Sequence, residues 1–430
     1  AMHRARRALT PVDKREELDA AFELRTAEQV AEALGQMKGA LMKIGQMASY
    51  LDQGLPAPVR EALAGLQQDA PPMSAELAAE VVERELGAPP DRVFAEWEAT
   101  PMAAASIGQV HRAVTRDGRA VAVKVQYPGV DEAIRSDLDN AGLMFAAQGM
   151  LGFSVDPGPL VAELRARLFE ELDYVNEAAN QRLFAGYYAD HPFIHVPGVI
   201  DELCTARVLT TELATGARFD ELLTWTQDEK DLAAEAIYRF VFRSLWRMQA
   251  FNGDPHPGNY LFRPGGRVTF LDFGLVKHFT GEEMDVFGEM LRAMCFEHDL
   301  GHYRQVIERI GMLPAGLPVS DESVEEYFGH FYEFIRQDGV QTITPEWSSE
   351  TVRRFFDING PFVDVMKAAN LPPMFVIIQR INLGLFAVLG DLRATANFRR
   401  IGEELWPWTD APPSTPLGEE EAAWRGRTGR

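Results

Sequence analysis

A short polar segment in the second half of the chain groups residues that could hold a metal ion and orient a reacting hydroxyl. Asp254 and Asn259 lie five residues apart, and Asp272 follows thirteen residues later at the start of an Asp-Phe-Gly triplet. A carboxylate (Asp272) and an amide oxygen (Asn259) suit Mg²⁺, which would neutralise the charge of nucleotide phosphates. Asp254 would orient an attacking hydroxyl or water. We therefore predict Asp254 as a catalytic residue and Asn259 and Asp272 as metal ligands.

A lysine on a predicted strand supplies the cation that such a site needs. Val121-Ala122-Val123-Lys124 follows, after Ala120, the segment Arg116-Asp117-Gly118-Arg119, whose Asp-Gly pair is typical of a β-hairpin turn. In the protein-kinase signature a lysine at this position holds the α- and β-phosphates of ATP. By itself Lys124 would be interpreted as a solvent-facing strand lysine. Its combination with the Asp-Asn segment and the Asp-Phe-Gly triplet favours a protein-kinase-like phosphotransferase site.

An alanine-rich segment stands where a glycine-rich phosphate loop is expected. Ala103, Ala104 and Ala105 precede Ser106 and the hairpin. Alanine enters positive φ reluctantly, so this segment cannot approach phosphates by the route that a glycine loop uses. Its backbone amides and the Ser106 hydroxyl could still face a nucleotide, and all four residues are predicted to bind the cofactor.

Together with Lys43-Ile44-Gly45-Gln46 near the N-terminus, these motifs resemble the UbiB/AarF family of atypical protein-kinase-like proteins, whose ubiquinone-biosynthesis members include mitochondrial and bacterial representatives. The resemblance covers roughly Leu34 to Leu392. It implies an α+β, bilobal protein-kinase-like fold with an N-terminal helical extension packed over the active site. That extension would occupy the place where a protein kinase binds its peptide substrate.

The resemblance also implies roles for single residues. Lys43 and Gln46 would form a regulatory latch, in which Lys43 faces Glu171 of a Glu-x-Asp motif that ends at Asp173. Glu177 would be the catalytic partner of Lys124.

A further implied role concerns the adenine ring. By family analogy, the hinge that reads adenine with backbone groups would be Glu212 and Leu213. The cofactors implied are ATP or ADP with Mg²⁺.

The pattern of helices, strands and composition predicts four regions along the 430 residues. They are a helical extension over 1–100, a kinase-like N-lobe with inserted helices over 101–213, a mostly helical C-lobe over 214–409, and a disordered tail over 410–430. The tail is assigned as disordered because it is rich in Pro, Glu, Gly and Arg. A hydrophobic fraction of 46% is that of an ordinary globular chain with a sizeable core.

Charge and apolar patterning restrict partners and location. A net charge of −22 repels phosphate backbones, which excludes general nucleic-acid binding. The two cysteines are too few for a disulfide framework.

The apolar stretch Pro372–Gly390 is interrupted by polar residues, and we expect it to form a buried C-lobe helix rather than a membrane span. We predict a cytoplasmic protein that could touch a membrane peripherally, for example through Trp406 and Trp408.

Two departures from protein kinases bear on activity. Asn252-Gly253 replaces the His-Arg that usually precedes the catalytic Asp, and no Ala-Pro-Glu segment follows Gly274, so peptide docking is expected to be absent.

We expect a Mg²⁺-dependent ATPase or small-molecule or lipid kinase that supports isoprenoid-quinone or lipid metabolism, with a lipid or quinone precursor as a further ligand. The alternative is a nucleotide-binding regulatory or lipid-chaperone protein with little turnover. A phosphotransferase of the aminoglycoside or choline type is a weaker third hypothesis, since it does not predict the Lys43 motif.

Overall fold

The computed structural model describes residues 73–105, 107–130, 172–253, 255–356, 360–370 and 372–430. The chain divides into two compact units. The first contains the described residues up to Ala179 together with Gly198–Leu213, and the second contains Asn180–Pro197 and Ala214–Arg430. The first unit is built on an antiparallel sheet and the second is mainly helical, which confirms the predicted α+β, two-lobed kinase-like fold class. The predicted extension lies outside the described residues except for its last part, from residue 73.

A five-stranded antiparallel sheet forms the first unit. Its order is β1-β3-β4-β6 with β2 paired to β3, and the strands are β1 (Phe94–Trp97), β2 (Ala103–Ala105), β3 (Gly108–Thr115), β4 (Ala120–Gln126) and β6 (Val208–Glu212). The predicted hairpin between β3 and β4 is confirmed, with Gly118 at φ +89 in the turn. Because side chains alternate along a strand, Val121, Val123 and Val125 point into one core.

Two helices precede the sheet, α1 (Ala75–Leu86) and α2 (Pro90–Val93). Local sequence sets both ends of α1: the Ser74 hydroxyl accepts from the Leu77 amide, and Gly87 ends the helix at φ +79. A third helix, α3 (Tyr174–Tyr187), begins in the first unit and ends in the second.

Two small sheets in the second unit carry the polar segment described above. β8 (Tyr260–Arg263) and β9 (Arg267–Phe270) form an antiparallel hairpin, and β5 (Ile194–His195) pairs in parallel with β9. β7 (Ala250–Asn252) pairs with β10 (Val276–His278).

The turn of the β8–β9 hairpin is tightly enclosed. Gly266 has φ +69, and a Cβ there would lie 3.0 Å from Leu232 Cβ and 3.1 Å from Leu417 Cδ1. The neighbouring Gly265 amide donates to Glu229 at 2.7 Å. The end of the hairpin opposite the polar segment is therefore fixed by packing and by a hydrogen bond.

Residues 196–200 do not form a continuous strand, although Val196, Val199 and Ile200 favour one. The strand in this part of the chain is β5, two residues earlier, and Val199 makes only an isolated bridge to Thr211. Pro197 has no amide hydrogen to give to a sheet ladder, which accounts for the early end of the strand.

Helices supply most of the remaining second unit and enclose an aromatic core that includes Phe240, Phe270 and Phe273. They are α4 (Phe219–Leu222), α5 (Gln227–Arg243), α6 (Gly281–Arg292), α7 (Leu300–Arg309), α8 (Asp321–Gly329), α9 (Glu333–Arg336), α10 (Pro345–Phe356), α11 (Val363–Ala368), α12 (Pro373–Asp391), α13 (Phe398–Leu405) and α14 (Pro416–Thr428). A short β11 (Gln341–Thr342) pairs with β12 (Thr395–Ala396).

The apolar C-terminal segment is a core helix, as predicted. α12 buries Ile381, Leu385 and Phe386 almost completely. Among the described helices, none combines the length and apolar character needed to cross a membrane. The suggestion that Trp406 could touch lipid is wrong, because it is only 2% exposed and stacks on Trp408.

The prediction of a disordered tail over 410–430 is also wrong. Residues 416–428 form α14, in which the Thr415 hydroxyl accepts from the Gly418 amide at the N-terminus. Trp424 is fully buried, and its indole N–H donates to the carbonyl of Ala189 at 3.1 Å.

Buried charges fix α14 against α5. Glu421, only 1% exposed, accepts from Arg239 Nη1 and Arg243 Nε at 2.9 Å each. Arg239 also pairs with Glu235 at 2.7 Å and Glu404 at 2.8 Å. The tail is ordered because these charges find partners in distant parts of the chain, which a composition argument cannot detect.

Candidate active site

In the first unit, Lys124 and Glu177 form a close ion pair. Lys124 Nζ lies 2.8 Å and 2.9 Å from the two carboxylate oxygens of Glu177. The Glu177 side chain is 3% exposed and that of Lys124 is 20% exposed, so the pair is shielded but open on the lysine side. The Lys124 ammonium also lies 4.9 Å from the centre of the Tyr174 ring. The predicted pairing of Lys124 with Glu177 is confirmed; its role in catalysis stays a prediction.

Local sequence explains why this pair forms. Val123 and Val125 point into the core of the first unit, so Lys124 between them points to the opposite face of β4. Asp173 accepts a hydrogen bond from the Asn176 amide at 2.9 Å, which caps the start of α3 and so fixes the first turn that carries Glu177. Asp173, predicted as part of the latch, is thus placed at a helix start.

The alanine-rich segment is an extended strand. Ala103, Ala104 and Ala105 pair with β3 as β2, and none of them has a positive φ. This agrees with the expectation that alanine does not adopt the backbone of a glycine loop. Gly108, after the turn, approaches its neighbour closely: a Cβ there would lie 2.2 Å from the carbonyl oxygen of Val125.

The two predicted hinge residues use their amides within the first unit. Glu212 N donates to Gly198 O at 2.8 Å, and Leu213 N donates to Ala120 O at 3.0 Å. A nucleotide that bound along this segment would have to use groups other than these two amides. Leu213 is the last residue of the first unit.

In the second unit, Asn259 and Asp272 lie at the open end of the β8–β9 hairpin. Asn259 precedes β8 and Asp272 follows β9, and the Leu271 amide donates to the Asn259 carbonyl at 3.0 Å. The strand pairing brings together two residues that are thirteen positions apart in the chain. The structure therefore places the backbones of the two predicted metal ligands at the same end of one hairpin; their role as ligands stays a prediction.

The loop from Asp272 to Gly274 is held by several hydrogen bonds. The Asn252 side-chain amide donates to the Asp272 carbonyl at 2.7 Å, and the Gly274 amide donates to Asp272 Oδ1 at 2.9 Å. Asn180 Nδ2 donates to the Phe273 carbonyl at 3.2 Å. The Phe273 side chain is fully buried against Phe184, with ring centres 5.0 Å apart.

Sequence reasoning missed Asn180 as a residue of this region. It is a single polar residue in a helix, and no motif marks it. The one available signal is indirect: α3 has apolar residues on its buried face, and a buried asparagine on that face needs a partner.

His256 shapes the turn before Asn259. Its Nδ1 accepts from the Gly258 amide at 3.0 Å, and it caps a 3₁₀ turn over Pro257–Asn259.

Five of the predicted site residues lie outside the described residues: Asp254, Ser106, Lys43, Gln46 and Glu171. The catalytic, cofactor and latch roles assigned to them stay predictions.

The residues present fit a magnesium ion held together with phosphates. In the described ranges, no three or more His, Cys, Asp or Glu side chains gather into a metal-binding group. Mg²⁺ is commonly bound through one or two carboxylates while phosphates and waters complete its shell, so a protein cage is not required. Asp272 and Asn259 supply one carboxylate and one amide oxygen, the hard oxygen ligands that this ion prefers.

Comparison with known proteins identifies the family. Residues 65–306, more than half of the chain, match the ABC1 atypical kinase-like domain. The chain belongs to this family of atypical kinase-like proteins, and the resemblance to UbiB/AarF proteins is confirmed.

Individual relatives agree with this assignment. Rat mitochondrial atypical kinase COQ8B is 38% identical over 62% of this chain and 51% of its own length. An uncharacterized chloroplastic aarF domain-containing protein kinase of Arabidopsis thaliana is 31% identical over 93% of this chain and 56% of its own length. The chain thus spans about half the length of these curated relatives. A solved structure, Rv3197 of Mycobacterium tuberculosis in complex with erythromycin, is 33% identical with a TM-score of 0.67, covering 91% of this chain and 98% of that one.

Proposed function

We propose that this atypical kinase-like protein is a Mg²⁺-dependent ATPase or small-molecule or lipid kinase that supports isoprenoid-quinone or lipid metabolism. The observation that carries the proposal is the Lys124–Glu177 ion pair at 2.8 Å. Active kinases need a lysine held in this way to grip the nucleotide phosphates. The position of Asn259 and Asp272 at the same end of the β8–β9 hairpin in the second unit supports the same proposal.

Each residue has a defined task in this proposal. Lys124, oriented by Glu177, would donate hydrogen bonds to phosphate oxygens of ATP or ADP. Asp272 and Asn259 would hold Mg²⁺, which when bound offsets the negative charge of the phosphates. Asp254 would orient the attacking hydroxyl or water and accept its proton.

The direct test compares ATP turnover by the purified protein with that of Asp272→Asn. The substitution removes the carboxylate but keeps the size of the side chain, so turnover and the thermal stabilisation produced by ATP or ADP with Mg²⁺ should largely vanish. Asp285→Asn, an exposed carboxylate on α6, is the matched control and should behave like the parent. An unchanged Mg²⁺-nucleotide shift in Asp272→Asn would exclude this site.

A second candidate function is a nucleotide-binding regulatory or lipid-chaperone protein with little turnover. Two observations favour it. The alanine segment is an extended strand in place of a glycine loop, and the solved relative Rv3197 is in complex with a small molecule, erythromycin. This candidate predicts tight ADP binding with no ATP hydrolysis above that of Asp272→Asn. Profiling quinones and lipids in a strain that lacks the gene would then identify the pathway for either candidate.

A further inference from the structure

We propose that Asn180 and His278 form a positioning pair that sets the backbone of the metal-binding loop Asp272–Gly274. The inference rests on the proposed function, since it concerns how Asp272 is held for Mg²⁺. Asn180, His278 and the loop all belong to the second unit.

The hydrogen-bond pattern fixes the direction of each group. The Phe273 carbonyl can only accept, so the Asn180 atom that lies 3.2 Å from it is the Nδ2 donor. The Asn180 oxygen is then turned to His278 Nε2 at 3.1 Å, and this nitrogen must carry the hydrogen. His278 thereby selects the amide orientation of Asn180 that can donate to the loop.

The surroundings make this donor hard to replace. Asn180 is 4% exposed and Phe273 is fully buried, so water cannot readily take over the bond to the Phe273 carbonyl. His278 reaches in from the exposed end of β10, where its removal leaves no internal cavity.

Two consecutive carbonyls of the loop are held in this way. Asn252 donates to the Asp272 carbonyl at 2.7 Å, and Asn180 donates to the next carbonyl, that of Phe273. With both carbonyls held, the peptide unit that follows Asp272 cannot rotate freely, and the direction of the Asp272 carboxylate is restricted. Asn180 and His278 touch neither predicted metal ligand through a side chain, so they are positioning residues rather than catalytic ones.

The test measures Mg²⁺ and nucleotide binding separately in Asn180→Leu, His278→Leu, His278→Gln and the double leucine variant. The Mg²⁺ concentration that gives half of the ADP-induced thermal stabilisation should rise roughly 2- to 12-fold in each single leucine variant, the range spanned by one hydrogen bond between neutral groups. ADP affinity in EDTA should change less than about twofold. His278→Gln, which restores a donor, should recover most of the Mg²⁺ response, and the double variant should be no weaker than Asn180→Leu because the two residues act in series.

The control is Asn382→Leu, which removes an equally buried asparagine that donates to the Tyr332 hydroxyl at 3.3 Å. It should lower thermal stability without shifting the Mg²⁺ midpoint.

Parental Mg²⁺ midpoints in both single leucine variants, or equal losses of ADP affinity with and without metal, would overturn the positioning role while the proposed function stands. If Asn180→Leu does not fold, His278→Leu decides alone. A parent protein with no Mg²⁺-dependent nucleotide binding would overturn the proposed function, and this inference with it.

Discussion

Replacing Glu421 with glutamine should destabilise the second unit strongly, although the residue lies in a segment whose composition alone predicts disorder. Glutamine keeps the shape of the side chain but removes its charge. Arg239 would retain Glu235 and Glu404 as partners. Arg243 is different, because Glu421 is the carboxylate that it contacts within the described ranges, and the Arg243 side chain is only 1% exposed.

The size of this destabilisation follows from the position of Arg243, which would lose the charge of Glu421 while remaining buried. Removing one partner of a buried ion pair costs about 3–5 kcal/mol, since the remaining charge stays buried and uncompensated. The glutamine oxygen can still accept a hydrogen bond from one guanidinium, so we expect the free energy of unfolding to fall by about 3 kcal/mol, the lower end of this range. Solvent screening should reduce this destabilisation only slightly, because the charged groups are almost fully buried.

The pH dependence provides an independent check. Burial alone would raise the pKa of Glu421, but contacts with His191, Arg243 and Arg239 hold that pKa well below its ordinary value of 4.5. A lowered pKa in the folded state gives stability that is present above the unfolded value and is lost as the pH falls below it. The difference in unfolding free energy between parent and Glu421→Gln should therefore be largest near neutral pH and shrink below about pH 4.5.

Urea unfolding followed by tryptophan fluorescence measures this difference. Of the seven tryptophans, all but Trp97 belong to the second unit, so the signal reports the unit in question. Glu420→Gln, an exposed neighbour on the same helix, is the control and should stay within about 0.5 kcal/mol of the parent. Equal stability of the two variants at neutral pH would show that the buried network does not hold α14.

Three further predictions concern the first unit and the N-terminus. Gly108→Ala should lower the unfolding free energy by about 1–3 kcal/mol, because its Cβ would meet the Val125 carbonyl oxygen at 2.2 Å; an unchanged urea midpoint would contradict this close approach. Ala104→Gly should change the preference between ATP and ADP or the level of self-phosphorylation by loosening an extended backbone, and if affinities and self-phosphorylation all match the parent, β2 is only structural. Lys43→Ala should alter ATP hydrolysis if Lys43 pairs with Glu171, whereas parental hydrolysis rates would argue against a latch.

The parts of the fold and site that the sequence predicts are those encoded locally. The Asp117-Gly118 turn dictates the β3–β4 hairpin, and alternation along β4 then places Lys124 on the face opposite to the core valines. Asn259 and Asp272 lie at the same end of the structure's β8–β9 hairpin because they flank its two strands in the chain. In each case the spacing along the chain determines the spacing in the structure.

The parts that sequence reasoning missed depend on contacts between distant segments. Asn180 reaches the Phe273 carbonyl across 93 positions, and Arg239 reaches Glu421 across 182. Neither residue stands in a motif, and the composition around Glu421 is that of a flexible tail. Partners so far apart become visible only once the chain has folded.

The packing of Gly266 has a consequence for the genetics of this protein. The turn of the hairpin that carries Asn259 and Asp272 packs on Leu417, a residue of α14. A stop codon between the codons for Thr415 and Glu421 would remove the partner of Arg243, and one at or before Leu417 would also remove the support of that turn. Premature stop codons or frameshifts in the codons for Thr415 to Glu421 should therefore produce loss-of-function alleles.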